Sequence, residues 1–211
     1  MTLRIPHKDV VIEGVPEVEA YVKNHRHLEE VHFKAFLKEF DQLDINGNYL
    51  EVGSGPGLLT ALIAQKKPEA RITALEPSAR MIDFAQKHAK KLGVESRIEY
   101  VCGCVDDGKM MERLGQFDLV YSTFSLHHWE NPNTAWRYLL NRVRKKGILF
   151  VHDLKRVSWL YYLPFKNGLF ESVRAAYNCV EIGRMLRCMG IMDYKINTPF
   201  PYFWMSILVQ N

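Results

Sequence analysis

The stretch EVGSGPG, residues 51–57, decides the fold, because it follows a short apolar run and precedes a helical one. Residues 49–52 are typical of a buried strand, and residues 58–65 are typical of a helix. The glycines of this stretch let the backbone turn sharply and approach a ligand without a clash from a Cβ atom. The first turn of the following helix carries free N–H groups. The stretch therefore predicts a ligand-binding loop at the carboxyl end of a strand.

Strand-like and helical runs alternate along the rest of the chain, which indicates βαβ units and a mostly parallel, doubly wound α/β sheet with helices on both faces. Strands are predicted at 49–52, 71–75, 98–102, 117–123 and 147–152, and helices at 15–43, 58–65, 78–92, 133–143 and 179–188. Two strand-like runs at 194–197 and 206–209 predict a final hairpin. Ligands in such sheets bind beyond the carboxyl ends of the strands. On that edge the pattern places residues 53–57, Glu76, residues 104–106, residues 122–128 and Asp153.

An acidic residue, Glu76, closes the second predicted strand, about 20 residues after the start of the glycine-rich loop. A carboxylate there can accept hydrogen bonds from both ribose hydroxyls of a nucleoside. The dinucleotide pattern GxGxxG fails, because Leu58 stands where its third glycine would fall. The phosphate-binding loop pattern fails as well, since no Gly-Lys-Ser/Thr follows. We therefore expect a nucleoside site without an evident phosphate-binding element.

The composition is that of a globular protein with one domain, or one domain with a small appendage. The chain has 211 residues, of which 47% are hydrophobic, and this excludes wholesale disorder. Its formal charge of +4 is too small to argue for nucleic acid or anionic lipid as a partner. The four cysteines form no CxxC pattern, so we expect reduced thiols and no metal site. No signal peptide or membrane-spanning segment is visible, and we expect a cytoplasmic protein.

Three stretches resemble the class I S-adenosylmethionine-dependent methyltransferases: LEVGSGPGLLT, ITALEPSARMIDFA and FDLVYSTFSLHHW. The similarity is greatest to the small-molecule branch that includes the quinone-biosynthesis C-methyltransferases, and it runs from about residue 48 to residue 153. It implies a Rossmann-like sheet of seven strands with an antiparallel last strand. It also implies S-adenosyl-L-methionine as the cofactor and a small molecule as the methyl acceptor.

The resemblance assigns the cofactor-binding residues. The glycines of the loop lie under the methionine part, Glu76 holds the ribose, and Glu51 orients the loop or reaches the amino group through water. The family often has Gly-Asp-Ala after the third strand, whereas this chain has Gly-Cys-Val at 103–105, so Asp106 is a candidate for the missing carboxylate. The expected cofactor-binding residues are Glu51, Gly53, Ser54, Gly55, Gly57, Glu76, Pro77, Cys104, Val105, Asp106 and Ser122.

Residues 122–129 follow the fourth strand and are expected to line the gap between cofactor and substrate. His127 and His128 titrate near neutral pH, and either is a candidate for the base that takes a proton from the acceptor. The alternative is that a histidine here only binds a backbone carbonyl. Since alignment alone can supply much of the rate of an in-line methyl transfer, the absence of a base would not contradict a methyltransferase.

The resemblance also divides the chain. Residues 1–46 are predicted to form a helical cap and residues 47–211 the methyltransferase domain, with a substrate-covering insertion at about 154–178. Two other functions stay open at this point. One is methylation of RNA or protein, although the chain lacks the Asp/Asn-Pro-Pro-aromatic run typical of enzymes that methylate nucleic-acid amines. The other is a catalytically silent methyltransferase-like module that binds a partner.

Overall fold

The structure is a computed structural model that describes residues 2–6, 14–165, 168–200 and 202–211. Residues 7–13 of the predicted cap and residues 166–167 of the predicted insertion lie outside the described part. The helices are α1 Val15–Phe40, α2 Leu58–Lys66, α3 Ala79–Lys91, α4 Gly108–Arg113, α5 Pro132–Arg142, α6 Ser158–Tyr161, α7 Gly168–Ala175 and α8 Cys179–Cys188. The strands are β1 Asn48–Val52, β2 Arg71–Glu76, β3 Ile98–Cys102, β4 Phe117–Thr123, β5 Val143–Leu154, β6 Tyr194–Asn197 and β7 Trp204–Gln210.

The seven strands form one sheet in the order β3-β2-β1-β4-β5-β7-β6. Strands β1 to β5 pair in parallel, and β7 runs antiparallel to both β5 and β6. This confirms the predicted doubly wound sheet and its final hairpin. β5 begins at Val143, earlier than expected, because Val143 pairs with Phe117 before an irregularity in the β4–β5 register. The sequence pattern also did not predict the short helix α4, whose first turn is capped by the Asp107 side chain.

Helices cover both faces of the sheet, so the central strands β1, β4 and β5 contribute to two buried layers. Helices α1, α2 and α3 pack on one face, where the buried side chains include Phe36, Phe40, Tyr49, Ile63, Ile72, Ala89, Tyr121 and Phe150. Helices α4, α5 and α8 pack on the other face, where they include Leu50, Leu75, Met111, Val120, Trp136, Leu139, Ile182 and Leu186. The parallel register then brings the carboxyl ends of β1, β2, β4 and β5 to one edge, as the alternation predicts.

Helix α1 contacts two regions of the molecule. Its carboxyl half belongs to the core through Phe36 and Phe40, which are 0% and 2% exposed. Its amino half packs Val18 and Val22 against Met81 in the first turn of α3, close to the end of β2. The amino half of the helix thus packs beside the turn that follows β2, and its role as a cap stays a prediction.

The backbone of the glycine-rich loop is held against β2 and adopts left-handed conformations at three positions. The N–H groups of Gly53 and Ser54 both donate to the carbonyl of Leu75, at 2.8 and 3.2 Å. Gly53, Gly55 and Gly57 have φ of +72°, +53° and +71°. A Cβ at Gly53 would lie 2.3 Å from the Ser125 hydroxyl oxygen, whereas one at Gly55 would meet nothing within 4 Å. Gly53 is thus required by packing, and Gly55 faces open space.

We expect Gly57→Ala to destabilise the fold much more than Gly55→Ala. An added Cβ at Gly57 would lie 2.5 Å from the Ala85 Cβ of α3, so the substitution adds a steric clash to the cost of a positive φ. Urea unfolding should give a loss of about 2–4 kcal/mol for Gly57→Ala and about 1 kcal/mol for the control, Gly55→Ala. Equal losses would contradict the packing of the loop against α3.

Candidate functional site

Glu76, at the end of β2, connects the glycine-rich loop after β1 with the turn after β2, at the edge of the sheet where the cofactor is expected to bind. Its Oε2 accepts a hydrogen bond from the Gly55 N–H at 2.9 Å, and its Oε1 accepts one from the Ser78 N–H at 3.0 Å. An ionised carboxylate has about four acceptor positions, so about two stay available for a ligand. Burial raises the pKa of Glu76, and the two N–H groups oppose that shift by stabilising the charged form. The residue therefore has the chemistry to bind two hydroxyl groups of a sugar.

Glu51, in β1, is almost completely buried on the α2 side of the sheet. The Tyr121 hydroxyl donates to its Oε2 at 3.0 Å, since Tyr121 lies beside Glu51 in the β1–β4 register. Burial raises the pKa of Glu51 to about 7, while the nearby Thr60 and Tyr121 hydroxyls lower it and the Glu76 charge raises it further. Tyr121 and Thr60 were not among the predicted site residues, because their proximity to Glu51 depends on strand register and helix packing.

The two serines predicted to bind cofactor have different surroundings. The Ser54 hydroxyl is buried and finds no hydrogen-bond partner within the described ranges. The Ser122 hydroxyl is also buried, but it donates to the carbonyl of Val52 at 2.9 Å and so joins β4 to β1. The Ser54 hydroxyl is thus available to a ligand at the loop, whereas the Ser122 hydroxyl already donates a hydrogen bond within the sheet.

The segment after β3 lies at the same edge. Cys104 is exposed, whereas the Val105 side chain is buried in the core. Asp106 accepts a hydrogen bond from the Asn131 N–H at 3.2 Å through Oδ2, which leaves its other oxygen available. Partial burial and nearby carboxylates, Asp106 foremost, raise the pKa of the Cys104 thiol. Cys104 is therefore a neutral S–H group at neutral pH. Pro77, the remaining predicted residue at this edge, directly follows Glu76 and is half-buried.

His127, in the turn after β4, forms a buried pair with Asp153, near the carboxyl end of β5. The pair therefore connects these two segments. The Asp153 Oδ1 lies 2.7 Å from His127 Nδ1, and Oδ2 accepts the His127 backbone N–H at 2.8 Å. The Leu154 N–H also donates to Oδ1, at 2.6 Å. Because an ionised carboxylate can only accept, Nδ1 is the ring nitrogen that donates to Asp153. The side chains of His127 and Asp153 are 3% and 1% exposed, so the pair is held in a low-dielectric setting.

The second histidine and the amino-terminal segment pack around this pair. The ring of His128 is half-buried, and its centroid is 3.9 Å from that of His127. Arg4 donates to the carbonyls of His127 and Ala175 at 3.0 and 2.6 Å, and its guanidinium lies 4.3 Å above the Tyr177 ring. Sequence reasoning placed Asp153 on the edge without pairing it to His127 and did not find Arg4. The signal for Asp153 was its position directly after a buried strand.

The residues at this edge fit an adenosyl cofactor. Open space lies above Gly55, Glu76 has acceptor positions to spare, and Ser54 has a buried hydroxyl without a partner in the described part of the chain. Among the described residues, no group of three or more His, Cys, Asp and Glu side chains is arranged to hold a metal ion. No described helix combines the length and the apolar character needed to cross a bilayer.

We expect the stability of the fold to fall between pH 5 and pH 8 because of Glu51. A pKa of about 7 in the folded state, against 4.5 for the ordinary side chain, means that the folded chain keeps a proton that the unfolded chain releases. Glu51→Gln, which cannot titrate, should gain about 2–3 kcal/mol on wild type between pH 5 and pH 8 in urea unfolding. A difference between the two proteins that does not change with pH would contradict the burial of this carboxyl.

Comparison with known proteins agrees with this geometry. Residues 50–151 match the methyltransferase domain family. The chain is 30% identical over 129 residues to malonyl-[acyl-carrier protein] O-methyltransferase of Priestia megaterium, covering 61% of this chain and 40% of that protein. It is 32% identical over 114 residues to the mitochondrial ubiquinone biosynthesis O-methyltransferase of Saccharomyces cerevisiae, covering 52% and 35%. The chain thus spans less than half the length of these two relatives.

The fold matches solved structures over nearly the whole chain. A structure described as a putative S-adenosyl-L-methionine-dependent methyltransferase of Methanococcus maripaludis has a TM-score of 0.73 at 18% identity, covering 96% of this chain and 95% of that one. At 18% sequence identity, this match is evidence for the fold and not for the activity. The family match covers the glycine-rich loop, Glu76 and the segment after β4. Residues 50–151 of the chain therefore match a methyltransferase domain, within a fold shared with solved S-adenosylmethionine-dependent methyltransferases.

Proposed function

We propose that the chain transfers a methyl group from S-adenosyl-L-methionine to an oxygen atom of a small, partly apolar molecule. The observation that carries the proposal is the position of the His127–Asp153 pair at the same sheet edge as Glu76 and the glycine-rich loop. Two relatives of the chain are named as O-methyltransferases, which supports oxygen as the acceptor. A histidine whose ring is oriented by a carboxylate suits a hydroxyl acceptor, whose proton must leave on methylation.

In this proposal the cofactor is held by groups at the carboxyl ends of three strands, β1, β2 and β3. Glu76 binds the ribose hydroxyls with its remaining acceptor positions, and the backbone near Gly55 lies along the methionine part. Ser54 and Glu51 are the side chains proposed to serve the methionine ammonium and carboxylate, and residues 104–106 are proposed to border the adenine. When bound, the cofactor supplies a methyl group on a positively charged sulfur.

His127 is the proposed general base. In this proposal the Asp153 carboxylate accepts the Nδ1–H and orients the ring, and Nε2 is the nitrogen that takes the proton of the acceptor hydroxyl. Once His127 is protonated, the same carboxylate stabilises its positive charge, and the Leu154 N–H holds that carboxylate in place. General-base help of this kind contributes about 10²–10⁴ in rate, in addition to the alignment of acceptor and methyl group.

The aromatic segment after β5 supports an apolar acceptor. Trp159, Tyr162 and Phe165 are 58%, 72% and 52% exposed, and they follow Asp153 by only a few residues. The Trp159 ring packs edge-on against Phe203 at 6.3 Å between centroids, so the segment is joined to the loop before β7. Exposed aromatic rings next to a transfer site provide an apolar surface over which a ring-containing substrate can bind.

Glu76→Gln is expected to weaken binding of S-adenosylhomocysteine at least tenfold. The amide keeps the shape of the side chain but replaces one acceptor oxygen with a donor, and a charge-assisted hydrogen bond is worth about 1.5–3 kcal/mol. Isothermal titration calorimetry measures the effect, with the exposed Glu69→Gln as the control that should bind like wild type. Unchanged affinity in Glu76→Gln would remove this residue from the ribose site.

His127→Asn and Asp153→Asn are expected to lower the rate of methyl transfer about 10²–10⁴-fold while binding of S-adenosylhomocysteine stays within about twofold of wild type. The assay measures S-adenosylhomocysteine formed with a panel of phenol, catechol and quinol acceptors. His128→Asn is the matched control, and it should lose much less. A full rate in His127→Asn, or an equal loss in His128→Asn, would place the base elsewhere.

A further inference from the structure

A cavity of about 500 Å³ opens at the sheet edge opposite the glycine-rich loop, where the parallel strands begin. It lies between the first residues of β1, β2 and β3 and the turn that joins α4 to β4. Four arginines line it: Arg71, Arg97, Arg113 and Arg144. The proposed methyl transfer uses none of them, because it takes place at the other end of the strands.

The cavity exists because α4 is short. The β2–β3 register puts Thr73 beside Glu99 and Leu75 beside Val101 on the same face of the sheet. Met111 of α4 belongs to the buried cluster that contains Leu75, so this helix covers the carboxyl ends of the two strands. With only six residues, α4 ends before the rows of Thr73 and Arg71. Polar side chains therefore line a face that is apolar elsewhere in the sheet.

Two of the arginines are fixed by the fold. Arg144 donates to both carboxylate oxygens of Asp118, at 2.8 and 3.0 Å. Arg97 donates to the backbone carbonyls of Ala64 and Lys67, which hold its guanidinium in place without neutralising its charge. These two side chains form a preorganised wall of the cavity.

The other two guanidiniums, those of Arg71 and Arg113, make no hydrogen bond or ion pair with any residue in the described ranges. Among the residues that line the cavity the acid is Glu99, and Arg144 in its wall is paired with Asp118. Four arginines against two carboxylates leave two positive charges, and these match the charge of one phosphate monoester at neutral pH. The planar guanidinium fork also fits phosphate oxygens geometrically.

We propose that this cavity binds the phosphate group of a small molecule, with Arg71 and Arg113 as the residues that close on it. The volume suits a ligand larger than phosphate alone, since small-molecule sites span about 300–1,000 Å³. The hydroxyls of Thr73 and Ser96 and the amide of Gln116 line the rest of the cavity and suit a polyhydroxylated ligand such as a sugar. The site is independent of the proposed methyl transfer and does not require it.

The test is isothermal titration of the full chain with glucose 6-phosphate, inorganic phosphate and glucose. We expect saturable binding of glucose 6-phosphate at one site per chain and none of glucose. Arg71→Gln/Arg113→Gln should weaken that binding at least tenfold. The matched control is Arg137→Gln/Arg184→Gln, which removes the same charge from exposed positions outside the cavity and should stay within twofold of wild type.

The outcomes separate the ligand sources. Equal binding of inorganic phosphate would support a site for the phosphate group alone, and tighter binding of the ester would support a sugar phosphate. If both double variants weakened phosphate binding equally, the loss would reflect the net charge of the chain and not the cavity, and the proposal would be overturned. The absence of saturation at about 10 mM of either phosphate would overturn it as well. Binding of transfer RNA that depends on Arg71 and Arg113, without binding of either phosphate, would overturn it in favour of nucleic acid.

Discussion

The hydrogen bonds that the Glu76 carboxylate accepts from the Gly55 and Ser78 N–H groups are the interaction on which the candidate site depends. Three residues of the glycine-rich loop have positive φ, and such a loop needs fixed partners to keep a single conformation. The Leu75 carbonyl and the Glu76 carboxylate supply them, and both residues belong to the neighbouring strand. The loop after β1 and the turn after β2 therefore border one crevice. The Glu76 carboxylate lines this crevice and still has acceptor positions available for a ligand.

This arrangement places two carboxyl groups, Glu51 and Glu76, in nearly buried positions close enough for each charge to affect the other. Burial of a carboxylate without a cation is unfavourable, and the raised pKa values of both groups express that cost. A ligand with a positive charge, such as the sulfonium and ammonium of the proposed cofactor, would stabilise both ionised groups. The electrostatics of the crevice thus agree with the methyltransferase family that residues 50–151 match.

Local sequence patterns predicted the elements that are defined by neighbouring residues. The strand, the glycine-rich loop, the helix after it and Glu76 follow from periodicity and spacing, and the final hairpin follows from two short apolar runs. Contacts between residues far apart in the chain were harder to predict. Asp153 reaches His127 across 26 positions, and Tyr121 reaches Glu51 across 70. Both contacts depend on strand order and register. The arginine-lined cavity depends on the length of α4, a helix that the pattern did not show.

The most direct measurement of the central claim is a crystal structure of the protein with S-adenosylhomocysteine. The account predicts density for the ribose within hydrogen-bond distance of Glu76, with the cofactor sulfur turned toward His127 and the aromatic segment after β5. Density for the ligand elsewhere, or a crevice that side chains still fill at saturating ligand, would contradict it.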